Sequence, residues 1–419
     1  MPGEKYHAKQ AAEELRKLSQ LAQGVLNKNG PGTPPDINIL LGQASYINAP
    51  EAVSKSLCKV ANMVTADPAL TALYNSLLNF GETEINENDI FSQIRGPMEA
   101  LMLFGALPRV RARHAALGVP DEITRDTFGT DLMIAIDAYA SKNDGAFGSS
   151  GYIPWLCNHY QTELFKIGRL QYILKPYTGD TRVFVDDITG EIVLTAQPGR
   201  RFRGDGRCDY DGRTTEHDSY WESELTEDDN FVRSNCMFVN GRAIQTPVVL
   251  DKKVWRLALE EGIYGLDMHI PVGKGLNHDD CVSSLREAWR FFRQVFPNRP
   301  FETYYCGSWL LDPELQKILP PSSGIVQFQK LYRLYPISGS AWSFLGRGFG
   351  VDTDKLESII KEGVVNFART ADRSTSLRRG MADFWLAGGE LHGAAGVIHQ
   401  YDVIRFGGGV TQPFHTAAK

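Results

Sequence analysis

The stretch Tyr264-Gly-Leu-Asp-Met-His-Ile-Pro-Val-Gly-Lys-Gly-Leu-Asn-His-Asp-Asp-Cys281 decides how this chain is read. An apolar run ends at His269-Ile270-Pro271. A loop with Gly273 and Gly275 follows, and then an amphipathic helix begins. Strand, glycine loop and helix N-terminus together receive phosphates. Glycines admit close approach, and unpaired backbone N–H groups at the helix start point at the anion. Ile270, Val272, Gly273, Lys274 and Gly275 are therefore the candidate phosphate-binding residues. The helix expected over 278–296 is marked by Val282, Leu285, Trp289, Phe292 and Phe296, one apolar stripe at helical spacing. Asn277 is the expected cap, and Asp279 and Asp280 fall in the first turn, where the helix dipole favours acids. Those acids would also repel a diphosphate, and Lys274 offsets them.

Composition narrows the classes. A chain of 419 residues suggests two or three domains, and 42 % hydrophobic residues leave ample material for their cores. With 44 basic and 50 acidic residues the net charge is -6, which argues against nucleic acid as the main partner. No apolar run approaches the ~18 residues that a membrane span needs. The N-terminal Met-Pro-Gly-Glu-Lys-Tyr-His7 has no apolar signal core. Six scattered cysteines form no CxxC pair, so reduced thiols and a cytoplasmic location are expected.

The first ~170 residues read as helical, with helices expected at 5–27, 50–65, 67–79, 95–117, 121–140 and 154–169. In the first of these, Ala11, Leu15, Leu18, Leu21 and Val25 form the apolar face. The texture changes after Gly168. Strands are expected at 170–174, 181–185, 191–195, 243–250, 262–270, 302–309 and 325–335. Asp186-Asp-Ile-Thr-Gly190 is a hairpin signal between the second and third of these. Residues 198–230 are polar and read as an irregular insertion. Helices at 353–363 and 374–387 and a hairpin near 390–405 complete the pattern. The fold class is thus α/β (α+β): a helical N-terminal domain over 1–165, then a mixed-sheet C-terminal domain over 166–419.

Several residues could carry chemistry. His269 ends a strand, where a neutral imidazole can take a proton from an attacking amine; the structural alternative is a buried histidine bonded to backbone. Cys306 and Ser308 alternate with Tyr305 and Gly307 and so share a strand face. A strand neighbouring that of His269 would permit a Cys306–His269 pair, although free cysteine more often packs as a small buried hydrophobe. Asp312-Pro313 reads as a helix start, and a third catalytic role for Asp312 is conceivable. No metal site is expected. Asp205, Asp209, Asp211, Glu216, His217 and Asp218 match no ligand spacing, and Asp209-Tyr-Asp-Gly212 is only a fragment of a calcium loop. Gly346-Arg-Gly-Phe-Gly350 reads as a bent strand rather than a phosphate nest.

Phe165-Lys-Ile-Gly-Arg-Leu-Gln-Tyr172, Asp267-Met-His-Ile-Pro271, Cys306-Gly-Ser-Trp-Leu-Leu-Asp-Pro313 and Gly324-Ile-Val-Gln-Phe-Gln-Lys-Leu-Tyr332 resemble the acyltransferase-domain family. Its members pair a helical N-acyltransferase-type N-terminal domain with a GNAT-like C-terminal domain. Arg373-Ser-Thr-Ser-Leu-Arg-Arg379 and Ala387-Gly-Gly389 fit the same pattern. The resemblance covers most of the chain from about residue 35, and the polar stretch 198–230 is longer than the family's usual one. It implies acyl-CoA, or another pantetheine thioester, as co-substrate and a small-molecule amine as acceptor. It also implies that acyl-CoA lies in a splayed gap beside the 264–270 strand, whose backbone N–H groups hold the thioester carbonyl. Two departures stand out. Family loops usually read Gln/Arg-x-x-Gly-x-Gly/Ala, and 314–319 lacks the tyrosine that many such enzymes use as general acid. Arg201-Phe-Arg-Gly-Asp-Gly206 matches the loop pattern literally but has no helix after it, and reads as coincidence. Two further readings stay open: a Cys306-dependent hydrolase or acyl-enzyme transferase with His269 as base, and a non-catalytic GNAT-like ligand-binding module.

Overall fold

The structure is a computed structural model that describes residues 5–78, 94–149, 153–208, 219–339 and 341–405. The stretch 209–218, with Asp209, Asp211, Glu216, His217 and Asp218, lies outside the described residues. The chain forms two compact units. One comprises Met1–Ile167, Gln171–Ile173 and Ile270–Val272; the other comprises Gly168–Leu170, Leu174–His269 and Gly273–Lys419.

The first unit is helical. It contains α1 (Ala11–Asn29), α2 (Ile37–Tyr46), α3 (Glu51–Thr65), α4 (Pro68–Leu78), α5 (Pro97–Ala116), α6 (Asp121–Lys142) and α7 (Ile153–Tyr160), followed by β1 (Leu164–Ile167). Local chemistry sets the starts. The Asp36 carboxylate accepts from the N–H groups of Asn38 and Ile39 at 2.8 and 3.1 Å. Asp67 caps α4 in the same way and also accepts from Ser19 Oγ at 2.6 Å. One core gathers Leu15, Leu57, Val60, Leu73, Leu101, Phe104, Phe128 and Ile136. Two expectations need correction. Leu21 is 58 % exposed, and Ala22 points inward instead. The helix expected to reach 169 ends at Tyr160, because the chain then turns into β1. There Asp131, buried in α6, accepts from Trp155 Nε1, His159 Nε2 and Gln171 Nε2, each at 2.8 Å. That network satisfies buried polar groups that would otherwise be costly.

The second unit is built on strands: β2 (Leu170–Pro176), β3 (Thr181–Asp186), β4 (Ile192–Ala196), β5 (Arg201–Arg203), β6 (Tyr220–Glu222), β7 (Leu225–Glu227), β8 (Phe231–Val239), β9 (Arg242–Asp251), β10 (Trp255–Leu259) and β11 (Tyr264–His269). Then come α8 (His278–Val295), β12 (Thr303–Ser308), α9 (Leu315–Ile318), α10 (Gly324–Gln329), β13 (Arg333–Pro336), α11 (Thr353–Glu362), α12 (Val364–Thr370), α13 (Ser376–Leu386), β14 (Ala394–His399) and α14 (Gln400–Arg405). A six-stranded sheet runs β1-β2-β11-β12-β14-β13, and smaller sheets run β10-β3-β4, β5-β6 and β7-β8-β9. The β3–β4 hairpin turns on Asp186, whose carboxylate accepts from Ile188 and Thr189, with Gly190 at φ +74°.

Tertiary context overrode local preference in several places. The strand expected at 325–335 is helix α10 followed by β13, and the closing hairpin is β14 followed by α14. Residues 344–349 form a wide helical turn rather than a bent strand. The 198–230 insertion contains β5, β6 and β7. Strand β8 was not expected because Ser234 and Cys236 take buried positions between Val232 and Phe238, which hides the apolar alternation.

Candidate functional site

The site is built where β11 and β12 part. The two strands run parallel and pair at Leu266↔Tyr304 and Asp267↔Tyr305. Among the described residues their pairing goes no further. β12 nevertheless continues against β14 as far as Ser308↔Ala394. Past Asp267 the sheet therefore opens between its central strands. Paired residues share a face and faces alternate, so Asp267, His269, Tyr305 and Gly307 lie on one side. Gly307 is exposed although Thr303 to Cys306 are buried, and a Cβ there would meet only Ile337, at 3.9 Å. The gap is thus flanked by His269 on one strand and a missing side chain on the other.

His269 Nε2 lies 3.3 Å from Asp267 Oδ2, within ion-pair range though off the line of a hydrogen bond. The same oxygen is 2.6 Å from Lys175 Nζ, on β2. Burial pushes the Asp267 carboxyl up. His269 and Lys175 more than offset this and hold it below the usual carboxylate range. Asp267 is therefore ionised beside the imidazole. Tyr305, the register partner of Asp267, is buried, and its hydroxyl has no partner among the described residues. Its ring packs edge-on against Tyr177 at 4.9 Å. Burial, then the charge of Asp267, keeps this phenol protonated well above the usual tyrosine range.

The loop after β11 is open. Val272, Gly273, Lys274 and Gly275 are exposed, and Gly273 (φ +154°) and Gly275 have no atom within 4 Å of a Cβ position. The N–H groups of Gly273, Lys274 and Gly275 donate to no acceptor among the described residues. Arg169 Nε lies 3.4 Å from the Gly275 carbonyl and brings a cation to the loop. The helix mouth itself corrects the expectation. The Asn277 side chain accepts from Asp279 and Asp280 at 2.9 and 3.2 Å and takes the amides an anion would use. The loop amides, not those of the first turn of α8, remain available.

Cys306 and Ser308 do not join this arrangement. They lie on the opposite face, with Tyr304, whose hydroxyl donates to the Leu285 carbonyl of α8 at 3.2 Å. Cys306 is buried, and burial drives its thiol far above the range in which a thiolate forms. Ser308 Oγ accepts from the Leu310 N–H at 3.2 Å and caps a short turn over Trp309–Leu311. The Cys306–His269 pair is therefore corrected, and with it the Cys306-dependent hydrolase. Asp312 is not a third member, because its Oδ2 accepts from the N–H groups of His392 and Gly393 at 2.7 and 2.9 Å.

Two family models cover most of the chain. The N-acyltransferase N-terminal domain matches residues 43–162, and the GNAT-like C-terminal domain matches residues 164–398. The chain belongs to the GNAT-like C-terminal domain family. Its two matched domains are those of an N-acyltransferase. Among solved structures, an acyltransferase in complex with decanoyl-CoA is similar at 18 % identity and a TM-score of 0.54, over 93 % of this chain and 99 % of that one. An acyltransferase in complex with decanoyl-CoA and teicoplanin is similar at 17 % identity and 0.53, over 86 % and 87 %. These likenesses give the fold. No curated protein matches the chain in sequence. No described helix is long and apolar enough to cross a membrane.

Three residues of the GNAT-like domain's opening escaped the sequence reading. Asp267 was legible in principle, since a residue two before His269 on a strand must share its face. Gly307 gave a weaker signal, as a glycine inside a strand often marks close approach. Lys175 gave none, because only the β2–β11 adjacency brings it to Asp267.

Proposed function

We propose that this protein transfers an acyl group from acyl-CoA, or another pantetheine thioester, to a small-molecule amine, with His269 as the proton acceptor. One observation carries the reading: the central strands separate directly after Asp267↔Tyr305, where the ionised Asp267 carboxylate lies 3.3 Å from His269 Nε2. A thioester threaded into that gap would lie against the imidazole. The cofactor's diphosphate would rest on the amides of Gly273, Lys274 and Gly275, with Arg169 and Lys274 offsetting its charge. Ile270 and Val272 would border the pantetheine arm.

The neutral amine attacks the thioester carbon through its lone pair, and His269 takes the proton that the nitrogen sheds as the N–C bond forms, with Asp267 stabilising the resulting imidazolium. Backbone N–H groups of β11 hold the tetrahedral oxyanion, and the C–S bond breaks as the amide forms. The sulfur leaves as a thiolate and takes a proton from solvent, and the imidazolium returns its proton to solvent, which restores neutral His269 for the next turnover. Holding both reactants in one gap supplies much of the rate.

The solved relatives' complexes with octanoyl-CoA and decanoyl-CoA make medium-chain thioesters the first donors to test. The decisive experiment is mass spectrometry of ligands that co-purify with the protein, joined to thermal melts with octanoyl- and decanoyl-CoA. Ligand at about 100 times its Kd should stabilise the fold by about 2.7 kcal/mol. Retained CoA, a raised melting temperature and thiol release with an amine present support the reading. No shift and no thiol release with any acyl-CoA would leave a non-catalytic module, as the self-capped α8 mouth and the acids Asp279 and Asp280 would then suggest.

A further inference from the structure

We propose that the helical unit carries a second anion site, a pocket for a phosphoryl group between the Lys5–Lys9 segment and α3. A cavity of about 170 Å³ is lined by Lys5, Tyr6, His7, Lys9, Lys55 and Lys59. Four ammonium groups around one small cavity are not an outcome of composition, since the chain as a whole carries a net charge of -6.

The charges do not cancel locally. Lys5 pairs with Asp137 at 2.6 Å, and Lys55 pairs with Glu51 at 2.7 Å. Among the described residues Lys9 and Lys59 have no acidic partner within ion-pair distance, so those residues leave the pocket a positive surplus. Lys55 and Lys59 stand one turn apart on α3 and share its face. His7 adds a further polar group. Its Nε2 lies 3.0 Å from the Asp144 carbonyl. A carbonyl only accepts, so Nε2 carries the hydrogen. Nδ1 is shielded from solvent and has no partner among the described residues.

The wall is also built rather than incidental. Tyr6 adopts φ +64°, the left-handed region that a bulky side chain rarely enters. It is held there from three directions. Its hydroxyl donates to Asp137, its carbonyl accepts from Ser56 Oγ, and the next residue pairs with the 145–147 backbone at 3.0 and 2.7 Å. A strained, over-determined segment facing a cationic cavity is the pattern of a binding site.

The chemistry selects the ligand. A carboxylate is best matched by the planar fork of arginine, and the pocket has none. Lysine ammoniums approaching from several directions suit a tetrahedral oxyanion. The volume of about 170 Å³ holds a phosphoryl group with a few waters, each about 30 Å³, but not a whole nucleotide. Any larger carrier would leave the rest of its body outside.

The test uses the full chain and calorimetric titration at low ionic strength. Inorganic phosphate and glycerol 2-phosphate are the probes, with chloride at matched ionic strength as control. The comparison protein is the double variant Lys9→Gln, Lys59→Gln, which changes only exposed side chains. Saturable one-site binding of either probe, weakened about tenfold or more in the variant, supports the site. Preference for glycerol 2-phosphate indicates a phosphomonoester carrier, and preference for inorganic phosphate indicates the free anion. Equal heats with chloride, or equal affinity in wild type and variant, overturn it. Neither probe contains a thioester, so the result is independent of acyl transfer.

Discussion

His269 and Cys306 project from opposite faces of the same sheet. The Asp267↔Tyr305 pairing puts His269 with Gly307, and Cys306 with Met268, whose sulfur lies 3.3 Å from the Tyr332 hydroxyl. A covalent acyl-enzyme on Cys306 would need the base to reach through a strand. Cys306→Ala should therefore keep turnover within about threefold of wild type while costing on the order of 1–2 kcal/mol of stability for the lost buried sulfur. In the native protein Cys306 should also resist alkylation, which peptide mass spectrometry after iodoacetamide would reveal. Loss of turnover in a folded Cys306→Ala protein would restore the covalent route.

His269→Gln keeps the size and polarity of the side chain but removes its basicity. It should lower kcat by about 10²–10⁴-fold with little change in melting temperature. Asp267→Asn should give a smaller loss, about tenfold or more, because it weakens stabilisation of the imidazolium without removing the base. Steady-state kinetics of thiol release checks both. Unchanged turnover in His269→Gln would assign the proton transfer to another group.

Gly307 tests the gap itself. A valine there suits a strand, and its Cβ has room beside Ile337. The branched methyls would project where the strands separate. Gly307→Val should raise the KM for acyl-CoA about tenfold or more, with an unchanged melting temperature in the absence of ligand. An unaltered KM would mean that the donor lies elsewhere.

Glu99 makes a pH prediction for the helical unit. It is fully buried in α5, and neither carboxylate oxygen has a partner among the described residues. Burial raises its pKa from 4.5 to about 9, against a smaller pull from Arg95. Below the unfolded value of 4.5 both states are protonated. Between 4.5 and about 9 the unfolded chain releases a proton that the folded one keeps, so stability falls as pH rises. Glu99→Gln should flatten that slope and Glu99→Met should stabilise the protein near neutral pH by on the order of 2–4 kcal/mol. Denaturant melts across this pH range are the measurement, and a slope in Glu99→Gln as steep as wild type would refute the assignment.

The strand, glycine loop and helix at 264–296 were legible because their signals are local. Apolar spacing along α8, the Asn277 cap and the glycines of the loop each act within a few residues. The same locality explains a misreading. Asn277 was recognised as a cap, but a cap that accepts both first-turn amides also removes them from any anion. Elsewhere, β-branched residues in 324–329 suggested a strand, and packing made it α10. The two-domain family was legible through the resemblance carried by the motifs at 165–172, 267–271, 306–313 and 324–332, each a run of neighbouring residues.

What the sequence settled by itself was the division into a helical N-terminal part and a mixed-sheet C-terminal part, and the position, apolar stripe and Asn277 cap of α8. Short-range periodicity and capping chemistry are written in neighbouring residues, and no other part of the chain is needed to read them. What only the tertiary structure decided was which side chains of different strands share a face and where the sheet opens. Lys175, Asp267 and Gly307 come to one place through strand register, and Cys306 is excluded from it by the same register. Register depends on pairing between segments far apart in the chain, and a shift of one residue would exchange the two faces.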